Sequence, residues 1–132
     1  MARRVYGGKV FVVDLKVAQE ALTVLRDEST PTEEFRKTLE RIGEYAAIYL
    51  AERMPIERVT VKTPLGLSEG GRIRGKEKLL LVPVLRAGLF LMNGFLRVFP
   101  KAEIGLISAS RIENENAKAN DFRFPVSTSY VK

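Results

Sequence analysis

Arg86 and Gly88 are the residues whose types and spacing most directly suggest chemistry. They close the stretch Leu79-Leu80-Leu81-Val82-Pro83-Val84-Leu85-Arg86-Ala87-Gly88, where an unbroken apolar run meets an arginine and a glycine. Such a run predicts a parallel strand over Lys78–Val84, buried on both faces. A helix-like segment follows at once, so the strand delivers a loop to a helix N-terminus, a common place for a ligand in α/β folds. Arg86 supplies a fixed positive charge, and Gly88 admits a close backbone approach or a positive φ. The chemistry this combination suits is the binding of a phosphate or pyrophosphate at the helix beginning near Leu89. A buried strand ending in an ordinary tight turn, with Arg86 simply solvated, fits the same residues. The motif is short and carries no full glycine-rich fingerprint.

Composition narrows the chemistry further. The chain contains neither cysteine nor histidine. That excludes disulfides, thiol nucleophiles, zinc sites built from side-chain nitrogen or sulfur, and any histidine-dependent triad. The net charge of +6 is uneven: residues 1–66 are nearly balanced, while residues 67–132 hold 11 basic against 6 acidic side chains. The basic excess thus falls in the half that carries the suspected anion loop. A phosphorylated small molecule or a nucleic acid would each suit it, as would a generally basic solvated surface. No apolar run approaches the roughly 20 residues needed to span a bilayer. Residues 1–8 lack the apolar centre of a signal peptide, so a cytoplasmic location is expected.

The elements that must position the loop are legible in outline. At 132 residues the chain reads as one domain. Lys9–Asp14 reads as an extended N-terminal piece. Leu15, Ala18, Leu22 and Leu25 share one helical face, predicting a helix over Leu15–Arg26. Thr30, Pro31 and Glu33 read as a capping box with proline at the first helical position. The helix they open carries an apolar stripe through Phe35, Leu39, Ile42, Ala46, Leu50 and Met54, flanked by Tyr45 and Tyr49. Arg58–Lys62 alternates as a half-exposed strand, and Leu67–Lys76, punctuated by glycines, suggests a hairpin. After the Arg86–Gly88 loop, a short apolar helix runs to Pro100, and Ala102–Ser110 forms a second mostly apolar strand. Strand, loop, helix and strand make a βαβ unit, expected to cross over right-handed. A polar loop over Arg111–Asp121 and an extended segment over Phe122–Val131 complete the chain.

Several of these segments, in this order and spacing, resemble the uracil phosphoribosyltransferase family, in its N-terminal portion and in a form closest to archaeal members. They are residues 22–36 (Leu22 to Arg36), Val61–Gly66, Val82–Gly88, Phe99–Ala102, Gly105–Glu113 and the closing Tyr130–Lys132. The resemblance implies a partial type I phosphoribosyltransferase-like core, an α/β fold with a Rossmann-like parallel sheet, N-terminal helices and a β-arm. It also implies pyrimidine salvage, in which uracil and phosphoribosyl pyrophosphate give UMP and pyrophosphate, with Mg²⁺ carried on the phosphoribosyl pyrophosphate. By position, Arg86, Ala87 and Gly88 resemble the family's pyrophosphate loop. Arg111 resembles the arginine after the next strand that also meets pyrophosphate, and Glu113 falls in the flexible arm beyond it. No residue is assigned as catalytic.

The sequence departs from the family pattern as well. Tyr49 stands where relatives often carry glutamate, and Ile112 where an aspartate is common. The family's ribose-phosphate loop and uracil-reading segment would follow Lys132. The expectation is therefore a uracil phosphoribosyltransferase-like protein that is catalytically incomplete as this single chain. A homo-oligomer, or a partner chain supplying the missing half, would then cover the Leu79–Val84 strand. The alternative is a non-catalytic binding, regulatory or structural remnant acting through an oligomer interface. Nucleic acid is not indicated as a partner, because the basic half lacks the interleaved aromatic residues of a stacking platform.

Overall fold

The computed structural model describes residues 12–108, together with the backbone of 110–111, 122–123 and 130–131. Two helices come first, α1 (Lys16–Arg26) and α2 (Thr32–Ala51). The turn between them differs from the capping box read in the sequence. Pro31 is the N-cap of α2, and the Thr30 hydroxyl donates backwards to the Val24 carbonyl at 2.7 Å. The Asp27 carboxylate accepts from the Ser29 N–H at 2.8 Å and from the Ser29 hydroxyl at 2.6 Å. Thr30 therefore closes the end of α1 rather than opening α2. The competing acceptor is a carbonyl orphaned at a helix C-terminus, which needs a donor as much as the N-terminus needs an acceptor.

A two-stranded antiparallel hairpin follows, β1 (Ile56–Thr63) with β2 (Gly66–Ile73). The hairpin expected over Leu67–Lys76 is thus displaced: residues 67–73 form a single strand, whose partner is the strand read over Arg58–Lys62. The turn between the two is held by the Thr63 hydroxyl donating to the Gly66 carbonyl at 2.8 Å, with Gly66 at φ +128°, a backbone that disfavours any side chain. The Arg74 N–H donates to the Pro55 carbonyl at 2.8 Å and closes the base. Leu65 at the tip is fully exposed.

The buried strand expected over Lys78–Val84 is instead two short strands, β3 (Leu80–Leu81) and β4 (Val84–Leu85). Proline has no N–H to give a ladder, and the pairing breaks around Val82-Pro83. Then come α3 (Gly88–Val98), β5 (Glu103–Gly105) and β6 (Ile107–Ser108). β3 pairs in parallel with β5, and β4 in parallel with β6. Backbone bonds from Glu103 N to Leu79 O (2.9 Å) and from Ile107 N to Pro83 O (3.3 Å) extend both ladders, so the βαβ unit stands as expected. The backbone of β7 (Ser110–Arg111) pairs with β8 (Phe122–Arg123), and β9 (Tyr130–Val131) pairs antiparallel with β5.

Burial corrects the strand expectation a second time. Leu80, Val82 and Val84 remain 42%, 43% and 47% exposed, whereas Pro83 between them is buried. One face of the parallel strands is covered and the other is open.

The tightest packing lies between α2 and α3. A Cβ on Gly43 would sit 2.8 Å from the Leu91 carbonyl carbon and 2.9 Å from its Cα, and nearer still to the Leu91 oxygen. A Cβ on Gly94 would sit 2.5 Å from Glu44 N and 2.8 Å from the Gly43 carbonyl carbon, and nearer still to the Glu40 oxygen. The two backbones touch because both crossing residues lack side chains. Thr38 and Ala47 are fully buried on the same helix, and Ala18 and Ala21 are the buried residues of α1, which lies against α2. The residues buried deepest in α2 are thus Thr38, Gly43 and Ala47 rather than the large members of the apolar stripe; Phe35 and Leu50 stay partly exposed.

Candidate anion-binding site

The loop at residues 86–88 joins the end of β4 to the start of α3. Arg86 follows the last residue of a parallel strand, so it stands at the C-terminal edge of the sheet, where open α/β folds place their ligands. Arg86 and Ala87 are exposed. The Leu85–Arg86 peptide bond is cis. Ala87 is the N-cap of α3 at φ −59°, ψ −36°, and it makes no side-chain cap bond. A helix start capped by alanine leaves first-turn N–H groups for solvent or a ligand, since only a side chain such as Ser, Thr, Asp or Asn would occupy them. Of these donors, Leu89 N–H bonds the Arg86 carbonyl at 3.2 Å.

Gly88 does not take the positive φ that is one of the two options read in the sequence. The described glycines with positive φ are Gly66 and Gly75, and Gly88 has helical backbone. A Cβ there would approach Pro83 Cβ at 3.1 Å and Cα at 3.2 Å, so its absence lets the first turn of α3 lie against the buried proline. The Val82-Pro83 break and the glycine therefore work together: one interrupts the strand, and the other seats the helix on the interruption.

Topology brings a second position towards this edge. β4 and β6 are parallel with Leu85 opposite Ser108, so both strands run out at the same end. Arg86 comes one residue after Leu85, and Arg111 three residues after Ser108, a span of at most about 11 Å of extended chain. The backbone of Arg111 lies in β7; its side chain, and Glu113 altogether, fall outside the described residues.

A second surface feature invites comparison. The start of α2 and the end of α3 border an open groove lined by residues including Glu33, Lys37, Glu40 and Arg97. Glu33, Lys37, Glu40 and Arg97 are engaged in ion pairs. Glu40 accepts from Arg97 Nη2 at 2.8 Å and from Asn93 Nδ2 at 3.3 Å, Arg97 Nη1 lies 3.9 Å from Glu44, and Lys37 pairs with Glu33 at 2.5 Å. Arg36 adds a cation–π contact, its Cζ 5.7 Å from the Phe90 ring centre. The contacts of Arg97, Asn93 and Arg36 tie α2 to α3, whereas Lys37–Glu33 lies within α2. The sequence reading missed them, although glycines inside two helical segments are a signal of close packing.

The chain also matches known proteins. Residues 12–128 match the family model for uracil phosphoribosyltransferase. The uracil phosphoribosyltransferase of Halalkalibacterium halodurans is 42% identical over 103 residues, which is 78% of this chain and 49% of that one. That of Haloarcula marismortui is 40% identical over 126 residues, covering 95% of this chain and 56% of the relative. Among solved structures, the AQ2163 protein from Aquifex aeolicus superposes with a TM-score of 0.72 at 26% identity, over 86% of this chain and 51% of that one. The chain spans about half the length of the curated relatives it matches. Together with a parallel βαβ unit that presents an arginine at a helix N-terminus, the match over nearly the whole chain shows that it belongs to the uracil phosphoribosyltransferase family.

Proposed function

We propose that this chain carries the pyrophosphate-binding part of a uracil phosphoribosyltransferase, acting on phosphoribosyl pyrophosphate in pyrimidine salvage. The observation that carries this reading is the Arg86-Ala87-Gly88 loop, with Arg86 and Ala87 exposed, which joins a parallel strand to an alanine-capped helix. In the reaction the C1 carbon of phosphoribosyl pyrophosphate bonds to uracil N1, which gives up its proton to the departing pyrophosphate or to water, while the bond from C1 to the pyrophosphate oxygen breaks. The leaving group gathers negative charge as the ribose carbon becomes cationic. Arg86 would donate to pyrophosphate oxygens, and the first turn of α3 would add N–H donors and the positive end of its dipole. Groups fixed before the charge develops stabilise it without reorganising, which is how such a loop lowers the barrier. Arg111 is proposed to complete the arginine pair, and Glu113 to be a further contact beyond it.

The Mg²⁺ belongs to the substrate in this reading. Pyrophosphate oxygens bind such an ion readily, because Mg²⁺ prefers oxygen ligands from substrate phosphates. No helix among the described residues is long and apolar enough to cross a membrane. The half-exposed strands Leu80–Leu85 favour a homo-oligomer or a partner chain that completes the sheet. This chain alone is proposed to bind phosphoribosyl pyrophosphate without turning it over.

Calorimetric titration with Mg²⁺·phosphoribosyl pyrophosphate tests the proposal. Binding should weaken at least tenfold in Arg86→Ala, in line with about 1.5–3 kcal/mol for a charge-assisted hydrogen bond. Equal affinity in the parent and in Arg86→Ala would overturn the assignment of the loop, as would no binding at millimolar ligand.

A further inference from the structure

Arg36 is a cation that the proposed function leaves unused, and it stands beside the helix that opens at the anion loop. Its Cζ lies over the Phe90 ring, 5.7 Å from the centroid. Phe90 is the third residue of α3, so its Cα is only about 3 Å along the axis from the helix start at Gly88. Helical side chains lean towards the N-terminus and cover the turn before their own Cα. The ring, and the guanidinium over it, therefore stand at the opening of α3. A guanidinium held on a ring face spends none of its N–H donors on hydrogen bonds. Nor is its charge neutralised along α2. The acidic residues spaced to reach Arg36 on that helix are Glu33 and Glu40, three residues before it and four after. Glu33 is taken by Lys37, and Glu40 by Arg97 and Asn93. Among the described residues, the guanidinium groups of Arg36 and Arg86 have no ion pair and no hydrogen bond, and both side chains are exposed.

We infer that Arg36 is a further binding residue of the anion site, contacting the pyrophosphate of phosphoribosyl pyrophosphate from the side of α2 while Arg86 contacts it from the loop. The inference takes its ligand from the proposed function, but its residue from a different helix. Positive charge gathers at the start of α3 from the Arg86 side chain, the N-terminal end of the helix dipole and the Arg36 guanidinium. Without an acidic partner these sources repel one another, and a pyrophosphate relieves the repulsion. Its oxygens also outnumber what one arginine can meet, since a guanidinium engages two of them at most in a bidentate pair. Phe90 adds a platform that holds the guanidinium in place, so less side-chain freedom is lost when the ligand arrives. The other cations of α2 and α3 fit the role less well. Lys37 pairs with Glu33, Arg97 with Glu40, and Arg41 donates to the Thr38 hydroxyl at 3.0 Å. All three line the groove at the other end of α3.

Calorimetric titration of the full chain with Mg²⁺·phosphoribosyl pyrophosphate and, separately, with Mg²⁺·pyrophosphate tests the assignment. Arg36→Ala should weaken both about tenfold, as the loss of a charge-assisted hydrogen bond does, with the helical circular dichroism unchanged. Arg36→Gln keeps most of the stem over Phe90 and should weaken binding alike, so that the loss follows charge rather than packing. Arg36→Lys should recover part of the affinity, because it restores the charge without the planar fork. Lys37→Ala removes a neighbouring cation already paired with Glu33 and should bind like the parent. Equal affinity in the parent and in Arg36→Gln overturns the inference. So does an equal loss in Lys37→Ala, which would mark a general effect of surface charge. A loss confined to phosphoribosyl pyrophosphate, with pyrophosphate binding untouched, overturns it as well, because the contact would then lie elsewhere on the ligand. Arg86→Ala separates the two readings. If it loses binding while the Arg36 variants do not, the loop assignment stands and this one falls; no binding by the parent at millimolar ligand removes both.

Discussion

Gly94→Ala tests the helix crossing on which the loop is mounted. An added Cβ would lie 2.5 Å from Glu44 N and 2.8 Å from the Gly43 carbonyl carbon, where ordinary contact begins at 3.4 Å. These neighbours are backbone, so no side chain can swing away. The helices must separate by about 1 Å, and a gap of that size forfeits a quarter to a half of the dispersion energy of each contact it opens. Overpacking in a well-filled interior costs about 1–3 kcal/mol, and backbone neighbours put this case at the upper end. Separation also stretches the bonds from Arg97 and Asn93 to Glu40. Against these losses, alanine gains about 1 kcal/mol over glycine in helix propensity. The net expectation is a loss of about 1–3 kcal/mol, a sizeable share of the ~5–15 kcal/mol typical of a domain. Urea unfolding followed at 222 nm should place the midpoint about 1–2 M lower, with an m-value of about 1–3 kcal/mol/M. Gly70→Ala is the control, since its nearest neighbours would stand 4.0 Å away, and its midpoint should barely move. A midpoint for Gly94→Ala equal to or above the parent's would refute the close crossing. Gly43→Ala should behave alike, and the double variant should lose less than the sum, because one separation relieves both clashes.

Other substitutions probe the remaining joints. Thr30→Val removes the bond to the Val24 carbonyl and should cost about 1 kcal/mol in urea unfolding, whereas Thr32→Val should cost less because Thr32 caps nothing. Arg97→Ala frees Glu40 from a partly exposed ion pair; the loss should stay within about 1 kcal/mol and shrink in high salt. Hydrogen bonds from the Ser29 hydroxyl and N–H hold the Asp27 carboxyl below its ordinary value of 3.8. The unfolded chain then binds the proton more readily, so this contribution is present above that value and is lost as the pH falls through the lower folded value. Asp27→Asn should accordingly flatten the fall in melting temperature on acidification below about pH 4, and an unchanged acid profile would refute the Ser29 contribution.

Local chemistry made the helices, the strand of β1 and the βαβ unit legible, because each is written in neighbouring residues: the apolar spacing of α1, the alternation at Arg58–Lys62, the arginine and glycine after a run of leucine and valine. What was misread depends on partners distant in sequence. The apolar run at Leu79–Val84 announces a strand buried on both faces, but composition records only what a strand can tolerate, not what covers it. Pro83 was the local hint that the run would break. Thr30 had two helix ends within reach, and its preference for Val24 cannot be read from a one-dimensional pattern. Gly43 and Gly94 acquire their meaning only when α2 and α3 meet. At the candidate site, the residue types of the loop were legible, but the seating of Gly88 on Pro83 required the fold.

The hairpin between α2 and α3 bears on how quickly those helices find each other. Their crossing joins residues on either side of a long intervening segment, and the loop that must close spans everything from the end of α2 to the start of α3. β1 and β2 make up about half of that segment, and the bond from Arg74 N–H to Pro55 O brings the hairpin's two ends together. Hairpins form in about 1–10 μs without waiting for tertiary contacts. Once this one has zipped, the effective loop is roughly halved, which lowers its closure entropy by about 0.6 kcal/mol and would speed the encounter up to threefold. The arm is thus a chain-shortening device during folding, a role fulfilled before any ligand or partner arrives.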